Sequence, residues 1–352
     1  MSQWSVPLGG SMTFTWEYDR AHDDLLRLYR LGKERQWNAE TRIDWAHEVD
    51  PDNPLGMPDE FIWIAGTPLW DGLDAKERST VRVHTAGWLY SQFLHGEQAA
   101  LMCAAKIVQT VPDLDAKFYA ATQVMDEARH TEAYQRFLNT KIGVTYPISD
   151  ALGALLATIA TDPRWDITAL GMQVLVEGLA LASFSIQRDR MRDPLARAFN
   201  AYVLQDEARH VAFGRVALRR FYAELTEAEL REREQFAIEA CWALRDRFVG
   251  EEMWRRLDLG AEECIRLSRR SPAMREFRRR LFSRIVPTLR DINLFGPSMQ
   301  AAFEQMGVLG FSRLDIGAVG DEDERAAAEF DRRRAEVSGF IDRGAQPPEE
   351  SP

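Results

Sequence analysis

Two copies of one five-residue string place four carboxylates and two imidazoles where they could share metal ions. Asp-Glu-Ala-Arg-His occurs at 126–130 and again at 206–210, so each copy holds a Glu-x-x-His pair, Glu127/His130 and Glu207/His210. On a helix, residues three apart lie on one face about one turn from each other, and both side chains of a pair can converge on one point. Thirty residues before each motif glutamate stands another: Glu97 in Phe-Leu-His-Gly-Glu-Gln-Ala-Ala-Leu and Glu177 in Val-Leu-Val-Glu-Gly-Leu-Ala-Leu. Unpaired glutamates are rarely buried, yet both sit in apolar surroundings. One Glu-x-x-His alone often decorates a solvated helix. Two, each with an equidistant glutamate, form the ligand set of a di-iron or di-manganese centre inside a four-helix bundle. Carboxylate oxygens with one imidazole per metal suit iron or manganese better than zinc, whose structural sites favour thiolates.

The elements that must hold these residues follow from the helical period. It dominates from about residue 75, and strand-like alternation is almost absent. Helices are expected at 77–108, 114–142, 149–160, 167–190, 194–222, 226–249, 272–290 and 297–306, with a short one near 18–37. Asp193 is the expected cap and Pro194 the first residue of one helix, and Thr226 with Glu229 forms a capping box for another. Glu97 and Glu127 stand 15 residues on either side of Pro112, and Glu177 and Glu207 stand 15 on either side of Arg192. At about 1.5 Å of rise per residue, two antiparallel hairpins therefore bring each pair to the same height. The halves align without a gap at an offset of 80 residues, which indicates an internal duplication.

Asp126 and Asp206 precede the motif histidines by one turn. Metal-bound histidines usually donate their second ring N–H to a carboxylate. The two aspartates are expected to accept these bonds, within one helix or across the two-fold, with Arg129 and Arg209 balancing their charge. The residues one turn from the glutamates are Phe93, Leu101, Gln123, Gln173, Leu181 and Val203. They predict a greasy cavity with few polar anchors, suited to a hydrophobic or small organic substrate.

The pattern Glu97…Glu127-x-x-His130…Glu177…Glu207-x-x-His210 resembles the ferritin-like di-iron carboxylate superfamily over about residues 80–225. The string Val-Met-Asp-Glu-Ala-Arg-His-Thr is most similar to the hydroxylase subunits of bacterial multicomponent monooxygenases, and the ribonucleotide reductase small subunit is a further relative. The resemblance implies an all-α, ferritin-like four-helix bundle with additional N- and C-terminal helices, two iron ions (Fe/Mn or Mn as alternatives) and O2 activation. Three positions depart from or specialise that pattern. Leu181 stands where monooxygenase hydroxylases carry a threonine. Tyr134, one turn after His130, falls where the reductase small subunit keeps its radical tyrosine, which gives it a candidate redox role. Arylamine N-oxygenases add a histidine one turn before the second Glu-x-x-His, where this chain has Val203.

The chain has 352 residues, 45% of them hydrophobic, and a net charge of −11. That balance argues against nucleic-acid binding. Cys103, Cys241 and Cys264 follow no disulfide or metal spacing, which fits a cytoplasmic protein. No secretory signal and no uncharged apolar run of membrane-spanning length is evident. The expected organisation is an irregular segment at 1–74, a helical di-iron domain at 75–316 and a charged, disordered tail at 317–352. The expected function is O2-dependent oxidation of a hydrophobic or small organic substrate. An acyl (carrier-protein-bound) desaturase and an N-oxygenase are the nearest alternatives. A ferroxidase or iron-storage protein and a radical-generating subunit are more distant ones; ferritins are usually much shorter. No Walker loop, dinucleotide motif or flavin signature occurs, so electrons are expected from a ferredoxin or reductase. The arginine-rich stretch 266–290 could dock an acidic carrier protein or that donor. A homodimer is the expected assembly.

Overall fold

The computed structural model describes residues 5–7, 11–16, 18, 22–318, 320–322, 325, 328, 329 and 332. The charged tail lies for the most part outside the described residues, and so does the start of the expected helix at 18–37. Among the described residues there are helices and no strands.

Two antiparallel hairpins form the bundle. The first bundle helix, Ala75–Thr110, opens on a capping box between Asp74 and Glu77. The second, Leu114–Phe137, is capped by the Asp113 side chain, which accepts from the Ala116 N–H at 3.0 Å. Its backbone widens into a π segment, Leu138–Ile142, and stops at Gly143, whose φ of 76° is costly for any residue with a Cβ. A crossover helix, Asp150–Thr161, starts at Ser149, whose side chain accepts from Leu152. The third bundle helix runs over Trp165–Arg190 and is long and apolar enough to cross a membrane. It lies buried in the bundle instead and carries Glu177. The fourth, Pro194–Tyr222, begins where expected, with Asp193 accepting from Ala196 at 2.8 Å.

The third helix is not uniform. Leu170–Val176 is a π segment, ending immediately before Glu177. Such wide turns often lie at functional sites, because they rotate the side chains that follow. Glu177–Arg190 is regular α-helix, so the arm from Glu177 to the turn keeps the length that the 15-residue arithmetic assumes. Gly214 on the fourth helix lets that segment approach: a Cβ there would sit 2.7 Å from Gln173 Cβ.

Outside the bundle, Asp23–Glu34 is shorter than the expected 18–37 helix and releases Gln36 and Trp37 into an irregular stretch. After the bundle comes Glu227–Asp246, with the Thr226–Glu229 capping box. The helices Glu251–Leu257 and Ala261–Arg270 were not expected from the sequence pattern. The expected single helix at 272–290 is broken into Pro272–Arg280, a 3-10 turn at Leu281–Ser283, and Ile285–Asp291. Pro287 explains the break. It lacks an N–H and is tolerated only in a first turn, where it now stands. Pro297–Met306 follows and ends at Gly307, with φ 72°.

The close approach at Gly214 generates a test. Gly214→Ala forces a Cβ into a carbon attached directly to the neighbouring backbone, which cannot swing away. Overpacking of this kind costs about 1–3 kcal/mol, and urea unfolding of the variant should show a loss of that size. A variant as stable as the parent would mean that the third and fourth helices can separate freely.

Candidate metal centre

The four bundle helices bring Glu97, Glu127, His130, Glu177, Glu207 and His210 together in the core. Two overlapping groups have ligand atoms within 4.8 Å of one another: Glu97, Glu127, His130 and Glu207, and Glu127, Glu177, Glu207 and His210. Glu127 and Glu207 belong to both. Their orientation explains how. Glu127 sets Oε2 at 3.3 Å from His130 Nδ1 and Oε1 at 3.1 Å from His210 Nδ1. Glu207 sets Oε1 at 3.2 Å from His130 Nδ1 and Oε2 at 3.4 Å from His210 Nδ1. Each of these carboxylates therefore offers one oxygen to either side. Glu97 faces only His130, at 3.2 Å, and Glu177 only His210, at 4.0 Å.

The donor atoms suit a pair of metal ions. Glu127 Oε2, Glu177 Oε2, both oxygens of Glu207 and His210 Nδ1 are buried with no hydrogen-bond partner among the described residues. Buried polar atoms are normally satisfied, and orphans converging on one spot are what a metal site requires. Charge gives the same answer. Four carboxylates carry −4 if all are ionised, which two divalent ions would balance.

With protein groups alone, the cluster must balance itself. Burial and the nearby Glu207 push the Glu97 carboxyl well above its ordinary range. Burial, Glu127 and Glu207 do the same to Glu177. Burial also works against the charge on Glu127, but His210 and His130 outweigh it and hold this carboxylate low. Burial opposes the charged form of both imidazoles as well. Asp206, the carboxylates of Glu127 and Glu207 beside the ring, and Glu97 lift His130, with Asp206 and Glu97 accepting from its ring nitrogens, and the charges of Glu127 and Glu207 lead in lifting His210. Protons thus occupy the place of metal charge, and metal binding at such a site releases them.

A second layer locks the imidazoles. His130 Nε2 lies 3.0 Å from Asp206 Oδ2, and His210 Nε2 lies 3.2 Å from Asp126 Oδ2. Each histidine thus pairs with the aspartate of the other motif, across the two-fold. With Nε2–H donating, Nδ1 keeps its lone pair toward the cluster. Arg129 Nη2 donates to Asp126 at 2.5 Å and to Asp206 at 2.7 Å. Arg209 Nη2 donates to Asp206 and lies 3.8 Å from Asp126. Burial opposes charge on Asp206, but Arg209, His130 and Arg129 hold its carboxyl well below the usual range. Two aspartates and two arginines leave this layer neutral.

Three contributors were not read from the sequence as members of this network. Trp37 Nε1–H donates to Asp206 Oδ2 at 2.7 Å, and Gln36 donates to Asp126 at 2.7 Å while accepting from Arg129 at 2.6 Å. Both reach the site from sequence distances of 90 residues or more, which no local pattern reveals. Gln123, expected to line a cavity, donates instead to Glu127 at 3.0 Å and to Glu177 at 2.9 Å. Gln173 in turn donates to Gln123 at 3.4 Å.

The pocket beside the cluster also differs from expectation. Of the six residues one turn from the glutamates, only Phe93 lines it. Its walls include Ala100, Met172, Val176 and Ala180, and it reaches Glu97, Glu177 and Glu207 but not Glu127. The crossover helix contributes Leu152, and the loop after Glu227–Asp246 contributes Arg247. Tyr134 is fully buried against Phe199 at 4.7 Å and Tyr90 at 5.4 Å, with no partner for its hydroxyl among the described residues. In the arginine-rich stretch, Arg266 pairs with Glu263, and Arg279 and Arg280 pair with Glu276. Arg278 is buried and donates to main-chain carbonyls at its helix neighbours' ends.

An all-helical bundle holding a buried, doubled carboxylate–histidine cluster defines a ferritin-like di-metal protein. Comparison with solved structures agrees on the fold. An R2-like ligand-binding oxidase with aerobically reconstituted metal cofactor after photoconversion matches with a TM-score of 0.50 and 17% identity, over 79% of this chain and 96% of the other. A point mutant of the R2-like ligand-binding oxidase with anaerobically reconstituted Mn/Fe cofactor matches with the same values. No curated protein matches the chain. The family model described as P-aminobenzoate N-oxygenase AurF matches residues 19–293, and the chain belongs to that family. It is a di-iron oxidoreductase.

The locked imidazoles generate a prediction. Asp206→Ala removes the acceptor for His130, Trp37 and both arginines, and metal affinity should fall about 10- to 100-fold. Asp206→Asn keeps the volume and should lose less. Competition for iron against a chelator measures both, and undisturbed loading of Asp206→Ala would sink the role given to this residue.

Proposed function

We propose that the protein is an O2-dependent di-iron oxygenase that inserts oxygen into a small organic substrate, with an amine nitrogen as the favoured target. The observation that carries this reading is the pair Glu127 and Glu207, each offering one oxygen to each of two imidazole-marked positions. Glu97, Glu127 and His130 would hold one iron and Glu177, Glu207 and His210 the other, with Glu127 and Glu207 shared. Bound there, the irons supply the reduction of O2. Family membership supports nitrogen as the target over carbon, because the matched family model is described as an N-oxygenase.

The chain's own residues do the remaining work. Asp206 and Asp126 hold the imidazole rings in one tautomer and orientation. Gln123 ties Glu127 to Glu177. The pocket side leaves Glu97, Glu177 and Glu207 facing an apolar space walled by Phe93, Met172 and Val176, where a substrate can approach and bulk water is excluded. Val203 puts an apolar, fully buried side chain where arylamine N-oxygenases carry a further histidine, so the reading rests on six ligands. Tyr134 is read as a wall of the aromatic cluster. Burial and the nearby Glu97 hold its phenol proton tightly, and its hydroxyl has no hydrogen-bond partner among the described residues. Electrons come from a separate ferredoxin or reductase, since the chain has no flavin or nicotinamide motif.

The test removes the shared carboxylates together. Glu127→Ala with Glu207→Ala should abolish binding of both irons, measured by metal analysis, and with it O2 uptake by the reduced protein. Circular dichroism checks that the bundle persists. Normal O2 consumption by that variant would show the centre to lie elsewhere.

A further inference from the structure

A second cavity lies outside the metal centre, between the N-terminal segment, the first and third bundle helices and the helices that follow the bundle. It holds about 400 Å³ of space, its open mouth included, and shares no residue with the pocket beside the glutamates. Arg247 belongs to that pocket and Phe248 to this cavity, so the main chain at 247–248 divides the two. The walls include three methionines, Met57, Met191 and Met274, and the rings of Trp63, Phe248 and Phe277. Thioethers and aromatic rings make close contact with flat apolar molecules. Among the described residues no charged side chain lines the cavity.

These walls are held in place. Gly56, with φ 57°, brings the loop before Met57 so close to the turn of the second hairpin that a Cβ would sit 2.4 Å from Asp193 N. Arg192 N–H donates to Gly56 O at 3.0 Å. The Asn53 side chain accepts from Met57 N–H at 2.8 Å and donates to Met57 O at 2.9 Å. Trp63 stands edge-on to Trp88 at 5.0 Å, and Phe248 edge-on to Phe277 at 5.9 Å. Walls pinned in this way resist collapse, and their apolar surface lacks contact atoms until a ligand supplies them.

One polar demand in this wall is unmet. Gln187, 2% exposed, turns its Nε2 to Ser183, with Oγ at 3.2 Å and O at 3.5 Å. Its Oε1 is buried without a hydrogen-bond partner among the described residues. Thr85, the other wall residue with a polar aliphatic side chain, commits its hydroxyl hydrogen to Val81 O at 2.7 Å and cannot donate to Gln187. Buried acceptors are normally satisfied. A water molecule needs several polar partners, which walls of this composition do not offer. We propose that the cavity is a second ligand site, separate from the metal centre, for a small neutral apolar molecule whose hydroxyl group donates to Gln187 Oε1. A hydroxyl brings one hydrogen to one unmet acceptor, and the methionines and rings take the hydrocarbon body. The volume is at the small end for organic-ligand sites, with room for one ring and a short side chain. A carboxylate is excluded twice, having neither a hydrogen to give nor a cation to meet it, and an ammonium would be an unpaired buried charge. The inference is independent of the oxygenase reading.

The test titrates two isomers, phenethyl alcohol and benzyl methyl ether, into the iron-loaded full chain by calorimetry. They contain the same atoms, but only the alcohol has a hydrogen to donate. The wild type should bind the alcohol about 5- to 10-fold more tightly than the ether, the worth of one hydrogen bond. Gln187→Leu should abolish that difference while still binding both molecules. Ile186→Trp, at a half-buried position of the wall, should fill the cavity and prevent binding of either. Both variants should keep the iron content of the wild type. The proposal is overturned if neither isomer binds, if the ether binds as tightly as the alcohol, or if the preference survives Gln187→Leu. Binding that survives Ile186→Trp would place the molecules elsewhere, the pocket beside the glutamates included, and overturns it as well. Should Gln187→Leu fail to fold, the wild-type preference and Ile186→Trp decide together, since the latter leaves Gln187 in place. O2 uptake is measured separately, and its failure would remove the oxygenase reading without touching this site.

Discussion

Neutralising charge in a dry interior is the constraint on which this fold depends. Glu97, Glu127, Glu177 and Glu207 are all at most 6% exposed, and isolated carboxylates cannot remain ionised at such a depth. The molecule meets the problem in two nested layers. The inner layer holds four carboxylates and two imidazoles, which two divalent ions would balance. The outer layer sets Asp126 and Asp206 against Arg129 and Arg209 and is neutral in itself. Among the described residues the layers are joined by the ring N–H groups of His130 and His210. Loss of a single charge in either layer therefore leaves a buried partner uncompensated, and the bundle helices are built to prevent that.

The crossing of those bonds ties the two hairpins together. His130 lies on the first hairpin and binds Asp206 of the second, while His210 binds Asp126 in the reverse direction. Arg129 spans both aspartates. A hairpin that carried its own complete ligand set could bind metal alone; here neither can complete even one imidazole's surroundings. Metal affinity and packing of the two halves are thereby the same quantity, in the sense that stable metal binding contributes directly to folding. Close contact at Gly214 serves the same end, since it seats the π segment and sets the angle from which Glu177 enters the cluster.

Much of this was legible because duplication writes geometry into spacing. Equal 15-residue arms about Pro112 and Arg192 place all four glutamates, and Asp193, Ser149 and Thr226 cap helices as short polar side chains do. The remainder fails for physical reasons. Trp37 reaches Asp206 across 169 residues of sequence, and its own neighbours hold no trace of that contact. A π segment has ordinary composition, because only the hydrogen-bond register changes. Pro287 was a local signal for the break after Arg280 and outweighs the helical pattern around it. Arg247 stands at a helix end, where a cation ordinarily means nothing more than a favourable dipole, and only its burial separates it from that common case.

The duplication also shows where symmetry was abandoned. At the offset of 80, Gln123 corresponds to Val203, and the two face opposite fates. Gln123 binds Glu127 and Glu177, while Val203 binds nothing and fills space. The four glutamates and two histidines are repeated faithfully, but the pocket touches Glu97, Glu177 and Glu207 and leaves out Glu127. The centre is thus unequal in its surroundings: an amide ties Glu127 to Glu177, and an apolar pocket walled by Phe93, Met172 and Val176 meets three of the four glutamates. Arg247 lines that pocket and has no counterpart from the first half, since it lies beyond the repeat. The duplication therefore accounts for the carboxylate–histidine cluster, whereas part of the pocket wall comes from outside the two hairpins, from Leu152 of the crossover helix and from Arg247 after Glu227–Asp246.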